Sequence, residues 1–479
     1  MSLKKQALSG VKWTFLQQLG TQGIGFVISV ILARLLMPEE FGLIAMISVV
    51  IAIGNTLLNA GLSSSLIRSK ELDEEDYSTV FYFNLVASII IYFITYLIAP
   101  FIADFYNQPI LTTLVRWLSL IFIINAFATI QQTRLTKQMD FKTQTIVAIP
   151  SLIIGGIIGI FMALQGYGVW SLIGYNLSKS LANMLLLWYH SKWKPRWKFN
   201  REKFKTHFYF GYKLTLSGLL DTIFNNAYNI VIGKFFPPAQ VGYYQRAKTM
   251  QMYPVRTASS ILAKVTYPLF AQIQDDNRRL KSVYKKILQM NVFILAPVLI
   301  SAGVLAVPLF RFLFTEKWLP AAPYFQILIP AGILYPIHSF NLNILKVKGR
   351  SDLFLKLEII KKIIIVFTIV MGLQYGIYGL LYMSVLGSFI AFFINTHYSG
   401  KFIDYTALEQ IKDILPVIFL SLITGIIVLF IDYFLKKYGI NDFIRLLIGG
   451  SFGIFFYILL SAKIKTDSFM EIKKIVLEN

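Results

Sequence analysis

One apolar, membrane-length segment of the sequence, residues 240–272, carries an unusual number of cations: Arg246, Lys248, Arg256 and Lys264. A charged side chain in the middle of a membrane helix costs roughly 2.5–3.5 kcal/mol on insertion scales, so such residues usually face a cavity or a partner. One arginine guanidinium can also donate two parallel hydrogen bonds to two oxygens of the same phosphate. We therefore predict that Arg256, Lys248 and Arg246 line a wet cavity that binds an anionic substrate.

Uncharged amide side chains recur at a spacing of four residues in three other apolar segments. Residues spaced in this way lie on one face of a helix. Amides can donate and accept hydrogen bonds, and so can a polar substrate such as a sugar. We predict that these stripes line the same cavity. The predicted polar lining is Gln18, Gln22, Asn55, Asn59, Asn225 and Asn229.

Two further ionisable residues lie inside apolar segments, and each leaves two interpretations open. Asp221 precedes Asn225 in its stripe and either pairs with Arg256 or Lys248 or acts as a coupling site for an ion. Lys179 either faces the substrate or extends along its helix toward the membrane surface. We include Lys179 among the candidate substrate-binding residues and Asp221 as the candidate ion-coupling residue.

The sequence offers no constellation for catalysis or metal binding. It contains no cysteine and only four scattered histidines, so we expect no metal site and no catalytic residues. No phosphate-binding loop of the G-x-x-x-x-G-K-[ST] type occurs. The longest polar stretch, from Ser191 to Thr206, is too short for a soluble domain. We expect a protein that is not an enzyme and has no cofactor.

Apolar runs long enough to cross a membrane fill almost the whole chain. Only 15% of the 479 residues are charged, whereas soluble domains have about 25%. A membrane helix needs roughly 20 apolar residues, and about fourteen such runs occur. We predict an all-α membrane protein with spans near 10–36, 41–67, 78–104, 110–134, 143–165, 168–190, 207–236, 240–272, 286–314, 321–345, 354–374, 376–398, 412–435 and 441–462.

The distribution of Lys and Arg among the loops gives the predicted topology. Basic loops alternate with short loops that are poor in both residues. Since basic loops stay in the cytoplasm, both termini are predicted to be cytoplasmic. The net charge of +22 follows from this pattern, so we expect no nucleic-acid partner.

An internal repeat divides the chain. Pro38 and Gly42, between spans 1 and 2, recur as Pro238 and Gly242 between spans 7 and 8. The repeat predicts two six-helix lobes related by a pseudo-two-fold axis along the membrane normal, which is typical of alternating-access transporters. The predicted domains are an N-lobe, 1–200, a C-lobe, 201–400, and a segment of two more helices and a tail, 401–479.

Four segments carry a resemblance to a known family. They are GVKWTFLQQLGTQGIGFVISVILARLLMPEEFGLIAM (Gly10 to Met46), SSSLIR (Ser63 to Arg68), YGVWSL (Tyr167 to Leu172) and GYKLTLSGLLDTIFNNAYNIVIGKFFPPAQVGYY (Gly211 to Tyr244). The chain resembles the polysaccharide-unit flippases of the multidrug/oligosaccharidyl-lipid/polysaccharide exporter superfamily, chiefly the lipopolysaccharide and colanic-acid types.

The resemblance implies transport of an undecaprenyl-diphosphate-linked oligosaccharide. The substrate would move from the cytoplasmic to the outer leaflet of the bacterial plasma membrane by alternating access, with coupling to H+ or Na+ left open. Cationic cavity residues of the family act on the lipid diphosphate, a role that we carry onto Arg256, Lys248, Arg246 and Lys179. Expected partners are membrane lipids, glycosyltransferases and a polysaccharide polymerase, with the chain itself a monomer.

Three other functions remain as alternatives. A multidrug exporter of the same superfamily would need an acidic or aromatic cavity for cationic drugs, which the cations of segment 240–272 disfavour. A peptidoglycan-precursor flippase has similar substrate chemistry. A membrane polymerase or ligase would need a catalytic constellation that the sequence does not show.

Overall fold

The computed structural model describes residues 3–59 and 61–477, excluding the side chains of 3–9, 11, 59, 260–265, 267–268, 472 and 475–477. This described part is helical and contains no strand. Its helices are α1 Leu3–Leu35, α2 Pro38–Asn59, α3 Leu62–Arg68, α4 Glu74–Tyr106, α5 Ile110–Leu118, α6 Ile121–Lys137, α7 Phe141–Leu164, α8 Trp170–Ser191, α9 Arg201–Asn225, α10 Ala227–Phe235, α11 Pro238–Gln272, α12 Asn277–Val304, α13 Ala306–Phe314, α14 Ala321–Val347, α15 Ser351–Leu373, α16 Gly376–Ile403, α17 Ala407–Lys437, α18 Asp442–Ile464 and α19 Asp467–Leu477.

The helices confirm a multi-pass membrane protein. Within the described residues, 10 helical segments are long and apolar enough to cross a membrane. The other predicted spans coincide with α8, α9 and α10, α11, and α15, which carry more polar or charged residues. The number of about fourteen spans therefore stays a prediction.

Four predicted spans are each divided into two helices. Span 41–67 becomes α2 and α3, 110–134 becomes α5 and α6, 207–236 becomes α9 and α10, and 286–314 becomes α12 and α13. Before α3, Gly61 has a φ of 63°, a left-handed conformation that glycine adopts without strain. Hydropathy does not detect such breaks, because the residues on both sides stay apolar.

Contacts divide the chain into an N-terminal unit, Met1–Gly242, and a C-terminal unit, Tyr243–Asn479. In the N-terminal unit, α7 packs against α1 and α8, and α6 packs against α4 and α8. Helix α9 packs against α2, α3 and α4 of the same unit. The domains predicted from the repeat stay a prediction.

Glycines allow α7 and α8 to approach closely. A Cβ on Gly155 would lie 2.6 Å from the Cβ of Lys179, and one on Gly159 would lie 2.8 Å from the Cβ of Tyr175. Small residues four apart are a common means of close packing between membrane helices. This packing holds the base of the Lys179 side chain against α7.

A second close approach joins the first turns of α2 and α11. A Cβ on Gly42 would lie 1.8 Å from the carbonyl oxygen of Pro238, and one on Gly242 would lie 2.0 Å from that of Pro38. Each proline opens its helix, where its missing N–H is not needed. The contact is reciprocal between residues that the repeat relates.

Charged residues connect the start of α9 to the start of α4. The Asp73 carboxylate caps α4 by accepting from the backbone N–H groups of Glu75 and Asp76. Lys203 of α9 donates to Asp73 and, over 3.2 Å, to Asp76, while His207 Nε2 lies 3.2 Å from Asp76 Oδ1. The Lys203 ammonium, together with the Asp76 backbone N–H, holds the pKa of the Asp73 carboxyl well below its usual range.

In the C-terminal unit, a buried hydrogen-bond network joins α12, α14 and α16. Asn341 of α14 accepts from Tyr284 Oη over 2.9 Å and from Ser399 Oγ over 2.6 Å. Its own Nδ2 donates to Thr396 Oγ1 over 3.1 Å. Both ends of the amide are therefore satisfied by neighbouring side chains.

A buried ion pair joins α17 and α18. Arg445, only 4% exposed, donates to both carboxylate oxygens of Asp432 over 2.9 and 2.8 Å. It also donates to Asp442 over 2.7 Å. The bidentate geometry uses the planar fork of the guanidinium and fixes the hairpin between the two helices.

Candidate functional site

The N-terminal unit contains a cavity of about 640 Å³ among its membrane-crossing helices. We call it the polar cavity because amides and hydroxyls dominate its lining. Among the described residues that line it, none is charged and none is aromatic. The polar lining residues are Gln17, Asn55, Ser63, Asn84, Asn125, Thr129, Gln132, Thr133, Thr136, Gln144 and Asn183.

Helix α6 supplies the largest share of this lining. Asn125, Thr129, Gln132, Thr133 and Thr136 follow one another at spacings of three, four and one residues, which places them on one helical face. The Thr129 and Thr133 hydroxyls donate to the carbonyls four residues earlier, each over 2.8 Å. Their donors are therefore used, and their oxygen lone pairs can still accept hydrogen bonds from a ligand.

Two glutamines connect α6 with α7 at the wall of the polar cavity. Gln132 Nε2 donates to Gln144 Oε1 over 2.9 Å, and Gln144 Nε2 donates to Thr136 Oγ1 over 3.1 Å. Each amide is thereby held in one orientation. The polar wall is preorganised before any ligand binds.

Asn84 of α4 is the most deeply buried of the described polar lining residues, with 2% of its surface exposed. Its Oδ1 atom accepts no hydrogen bond from any described residue. A buried acceptor without a partner costs roughly 1–3 kcal/mol. Such a group in a cavity wall indicates a position where a ligand donor can bind.

A side pocket of about 330 Å³ adjoins the polar cavity and shares Ala148 and Asn183 with it. Lys179 lines this side pocket beside Thr21 and Ser151. Its Nζ lies 5.9 Å from the centre of the Tyr175 ring. The structure thus places one predicted cation next to the neutral cavity.

Only some of the other site residues that the sequence predicts in the N-terminal unit line the polar cavity. Asn55 lines the polar cavity, but Gln17 lines it instead of the predicted Gln18 and Gln22, which are partly buried on α1. Asn59 has its side chain outside the described residues. Asp221 and Asn225 are exposed on α9, whereas Asn229 of α10 is buried.

The predicted cations of α11 differ in their surroundings. Arg246, 7% exposed, lies over the rings of Phe314 and Trp318, 4.8 and 4.9 Å from their centres. Lys248 is partly buried, and Arg256 is exposed. Within the described part of the C-terminal unit, neither Lys248 nor Arg256 lies within ion-pair distance of a carboxylate. Lys264 has its side chain outside the described residues.

Sequence reasoning missed most of the polar lining. Asn183 ends a stripe with Asn176 and Ser180 on α8, and Asn84 stands four residues before Ser88 on α4, so both lie in spacings that could have been found. The stripe from Asn125 to Thr136 is a pattern that could have been found. The sequence-based prediction of the site relied mainly on the charged residues of α11, because inserting a charged side chain into a membrane costs more free energy than inserting an uncharged polar one.

Comparisons with known proteins place the chain among membrane proteins of surface polysaccharide synthesis. The model of a family described as "Polysaccharide biosynthesis protein" matches residues 31–323. The lipopolysaccharide biosynthesis protein WzxC of Escherichia coli K12 is 24% identical over 401 residues, 82% of each chain. The teichuronic acid biosynthesis protein TuaB of Bacillus subtilis is 27% identical over 357 residues, 74% of this chain and 73% of its own.

Solved structures show the same fold. The lipid II flippase MurJ, in an inward closed conformation, superposes with a TM-score of 0.75 over 98% of this chain and 100% of its own, at 15% identity. An inward-facing multidrug transporter of the MATE family gives a TM-score of 0.61 over 83% of this chain and 100% of its own, at 16% identity. Both belong to transporter families, and the likeness concerns the fold.

Proposed function

The chain belongs to the family of polysaccharide biosynthesis proteins, and on this basis we propose that it is a flippase for lipid-linked oligosaccharides. It moves an undecaprenyl-diphosphate-linked repeat unit from the cytoplasmic to the outer leaflet by alternating access. The product is used for a surface polysaccharide. The chain transports its substrate without changing it covalently.

The polar cavity is the observation that carries this proposal. The substrate has a lipid tail that can stay in the bilayer and a sugar chain that needs a hydrophilic path. Amides and hydroxyls along α1, α2, α4, α6, α7 and α8 offer hydrogen bonds to sugar hydroxyls inside a membrane-crossing unit. A cationic drug would find no acidic or aromatic lining group there among the described residues.

The names of the relatives favour the oligosaccharide over the other substrates of this fold. WzxC and TuaB are named for lipopolysaccharide and teichuronic acid biosynthesis, and another relative, ExoT of Rhizobium meliloti, is named for succinoglycan transport. MurJ, the peptidoglycan-precursor flippase, shares the fold at 15% identity. A fold shared at this identity does not select a substrate.

The diphosphate of the substrate needs cations. Lys179 supplies one beside the polar cavity. Lys248 and Arg256 of α11 are further candidates, because no carboxylate of the described C-terminal unit neutralises them. Arg246, which lies over two aromatic rings, is the weakest candidate of the four.

The proposal also includes the ion that drives transport and the place of the protein in the cell. The ion is H+ or Na+, and Asp221 on α9 is its candidate site. The chain acts as a monomer in the bacterial plasma membrane with both termini in the cytoplasm, beside glycosyltransferases and a polymerase. Asp221→Asn should abolish the dependence of transport on the ion gradient, and unchanged dependence would remove Asp221 from the mechanism.

The decisive experiment measures the lipid-linked oligosaccharide pool in a strain that lacks the protein. We expect the undecaprenyl-diphosphate oligosaccharide to accumulate and the wild-type chain to relieve the accumulation. Arg256→Ala should relieve it less than Lys436→Ala, which removes an exposed cation at the end of α17. An unchanged lipid pool, with altered drug sensitivity instead, would contradict the proposal.

A further inference from the structure

We propose that the polar cavity is a binding subsite for an uncharged sugar ring of the transported unit. The inference rests on the proposed flippase function and names the part of the substrate that this site recognises. Its volume of about 640 Å³ lies within the range of roughly 300–1,000 Å³ that is typical of small-molecule sites. The described residues that line the subsite all belong to the N-terminal unit.

The charge of the lining sets the chemical class of the ligand. Uncharged amides and hydroxyls line the cavity, and the described lining residues include no cation that could balance a carboxylate. The lining itself gives the carboxylate of a uronic acid no opposite charge, because Lys179 lines only the adjoining side pocket, and burial of an unpaired carboxylate is strongly unfavourable. A neutral hexose loses only hydroxyl hydration, which the lining groups can replace.

Asn84 adds a second level of discrimination. Its Oδ1 is a buried acceptor that lacks a donor among the described residues. The 6-hydroxyl of a hexose can donate to this atom, whereas the carboxylate that replaces it in a uronic acid can only accept hydrogen bonds. A site that hydrogen-bonds one hydroxyl rejects ligands that lack it, because the buried partner is then left unpaired.

The amides of α6 and α7 keep the binding surface rigid. Gln132, Gln144 and Thr136 are joined in one hydrogen-bonded series. A ligand therefore finds amides that are already oriented, which reduces the entropy lost on binding.

The lack of aromatic lining residues bears on affinity. No described lining residue offers a ring on which a sugar could stack. Binding then depends on hydrogen bonds alone, each with a small net contribution. Weak binding suits a transporter, which must release the same sugar on the other side of the membrane.

The first test measures binding to the full chain in lipid nanodiscs by saturation-transfer NMR. The probes are an uncharged glucose trisaccharide and a galacturonic acid trisaccharide. We expect the neutral probe to bind at least about tenfold more tightly, with Asn84→Leu weakening it about tenfold. Asn291→Leu is the matched control, because Asn291 of α12 is 1% exposed, also lacks hydrogen-bond partners among the described residues and lines neither cavity.

Three results of this test would overturn the subsite. The charged probe could bind as well as the neutral one, or Asn84→Leu could bind as the Asn291→Leu control does. Wild-type protein could also fail to bind the neutral probe at concentrations up to about 10 mM, well above a millimolar dissociation constant.

A second test separates this inference from the proposed function. The strain that lacks the protein is complemented with wild type, Asn84→Leu or Asn291→Leu, and its lipid-linked pool is measured. Relief by wild type and by Asn291→Leu but not by Asn84→Leu supports the subsite. Relief by all three overturns the subsite and leaves the flippase function intact. Failure of wild type to relieve the pool overturns both.

Discussion

Two buried asparagines, one in each unit, have opposite hydrogen-bonding environments. Asn341 of α14 is fully buried, and three neighbouring side chains satisfy both ends of its amide. Asn84 of α4 lines the polar cavity and is 2% exposed, yet its Oδ1 accepts no hydrogen bond from the described residues. The two residues have the same chemistry and nearly the same burial.

The difference shows how to separate structural from ligand-binding polar groups inside a membrane protein, provided that the unsatisfied group also lines a cavity. Asn291 is buried and lacks partners too, but it lines neither cavity and therefore meets only the first condition. A polar side chain whose hydrogen bonds are all made by its neighbours holds helices together. One that is buried but lacks a donor destabilises the protein unless a ligand compensates it. Hydrogen-bond satisfaction, and not burial or residue type, distinguishes the network of Asn341 from the cavity of Asn84.

The largest loss of stability is expected when the buried ion pair between Arg445 and Asp432 in the C-terminal unit is broken. Arg445→Met leaves Asp432 buried without its partner, so the free energy of unfolding should fall by about 3–5 kcal/mol. The double variant Asp432→Leu with Arg445→Met removes both charges and should recover most of this loss. Denaturant unfolding in nanodiscs measures both values, and a double variant as unstable as the single one would contradict the explanation.

The Asn341 network should give an effect of intermediate size. Asn341→Leu leaves the Tyr284 hydroxyl without its acceptor in a buried interface between helices, while the Ser399 hydroxyl keeps only a long contact to the Thr396 carbonyl. We expect a loss of about 1–3 kcal/mol in the free energy of unfolding. The same unfolding experiment provides the measurement, and a stability equal to wild type would mean that the network is not structural.

The matched substitution at Asn84 should go in the other direction. Asn84→Leu removes a buried acceptor that has no donor, so we expect stability to be unchanged or to rise by about 1 kcal/mol. Transport by the same variant should fall. A loss of stability as large as that of Asn341→Leu would show that the two asparagines belong to one class.

The smallest effect is expected at the exposed cluster between α4 and α9. Lys203→Met removes the partner of Asp73, whose side chain is 60% exposed, so stability at pH 7 should fall by less than about 1 kcal/mol. The pKa of Asp73 is lowered in the folded protein, so the contribution is full well above the ordinary aspartate pKa of about 4 and is lost only as the pH falls through the lowered value. The difference in melting temperature between the two proteins should therefore be smaller at pH 3 than at pH 7.

The sequence was sufficient to predict an all-α membrane fold because apolar runs and the repeated Pro38–Gly42 pattern are local signals. The topology inferred from the basic loops stays a prediction. The sequence was less informative about the helix breaks. The division after Leu118 follows no Pro or Gly and depends on tertiary packing.

The candidate site was predictable in part. Asn55 and Lys179 were found because the spacing of amide residues and the presence of a charge in an apolar segment can be read directly from the sequence. Asn84 and Asn183 were not, although each has a polar residue at helical spacing (Ser88 and Ser180), because an uncharged polar stripe can face a neighbouring helix, a cavity or lipid. Their role depends on which helices surround them, and no local pattern determines that.

The reciprocal contact at the start of α2 and α11 has a consequence for the origin of the chain. Gly42 meets Pro238 and Gly242 meets Pro38, so two short segments of the N-terminal unit with the same proline and glycine spacing meet reciprocally. Such a self-complementary contact is what two identical subunits form across a two-fold axis. A half-length ancestral protein could therefore have made this contact as a homodimer. After gene duplication and fusion, the two halves could diverge everywhere except at the glycines, where any side chain would separate the helices.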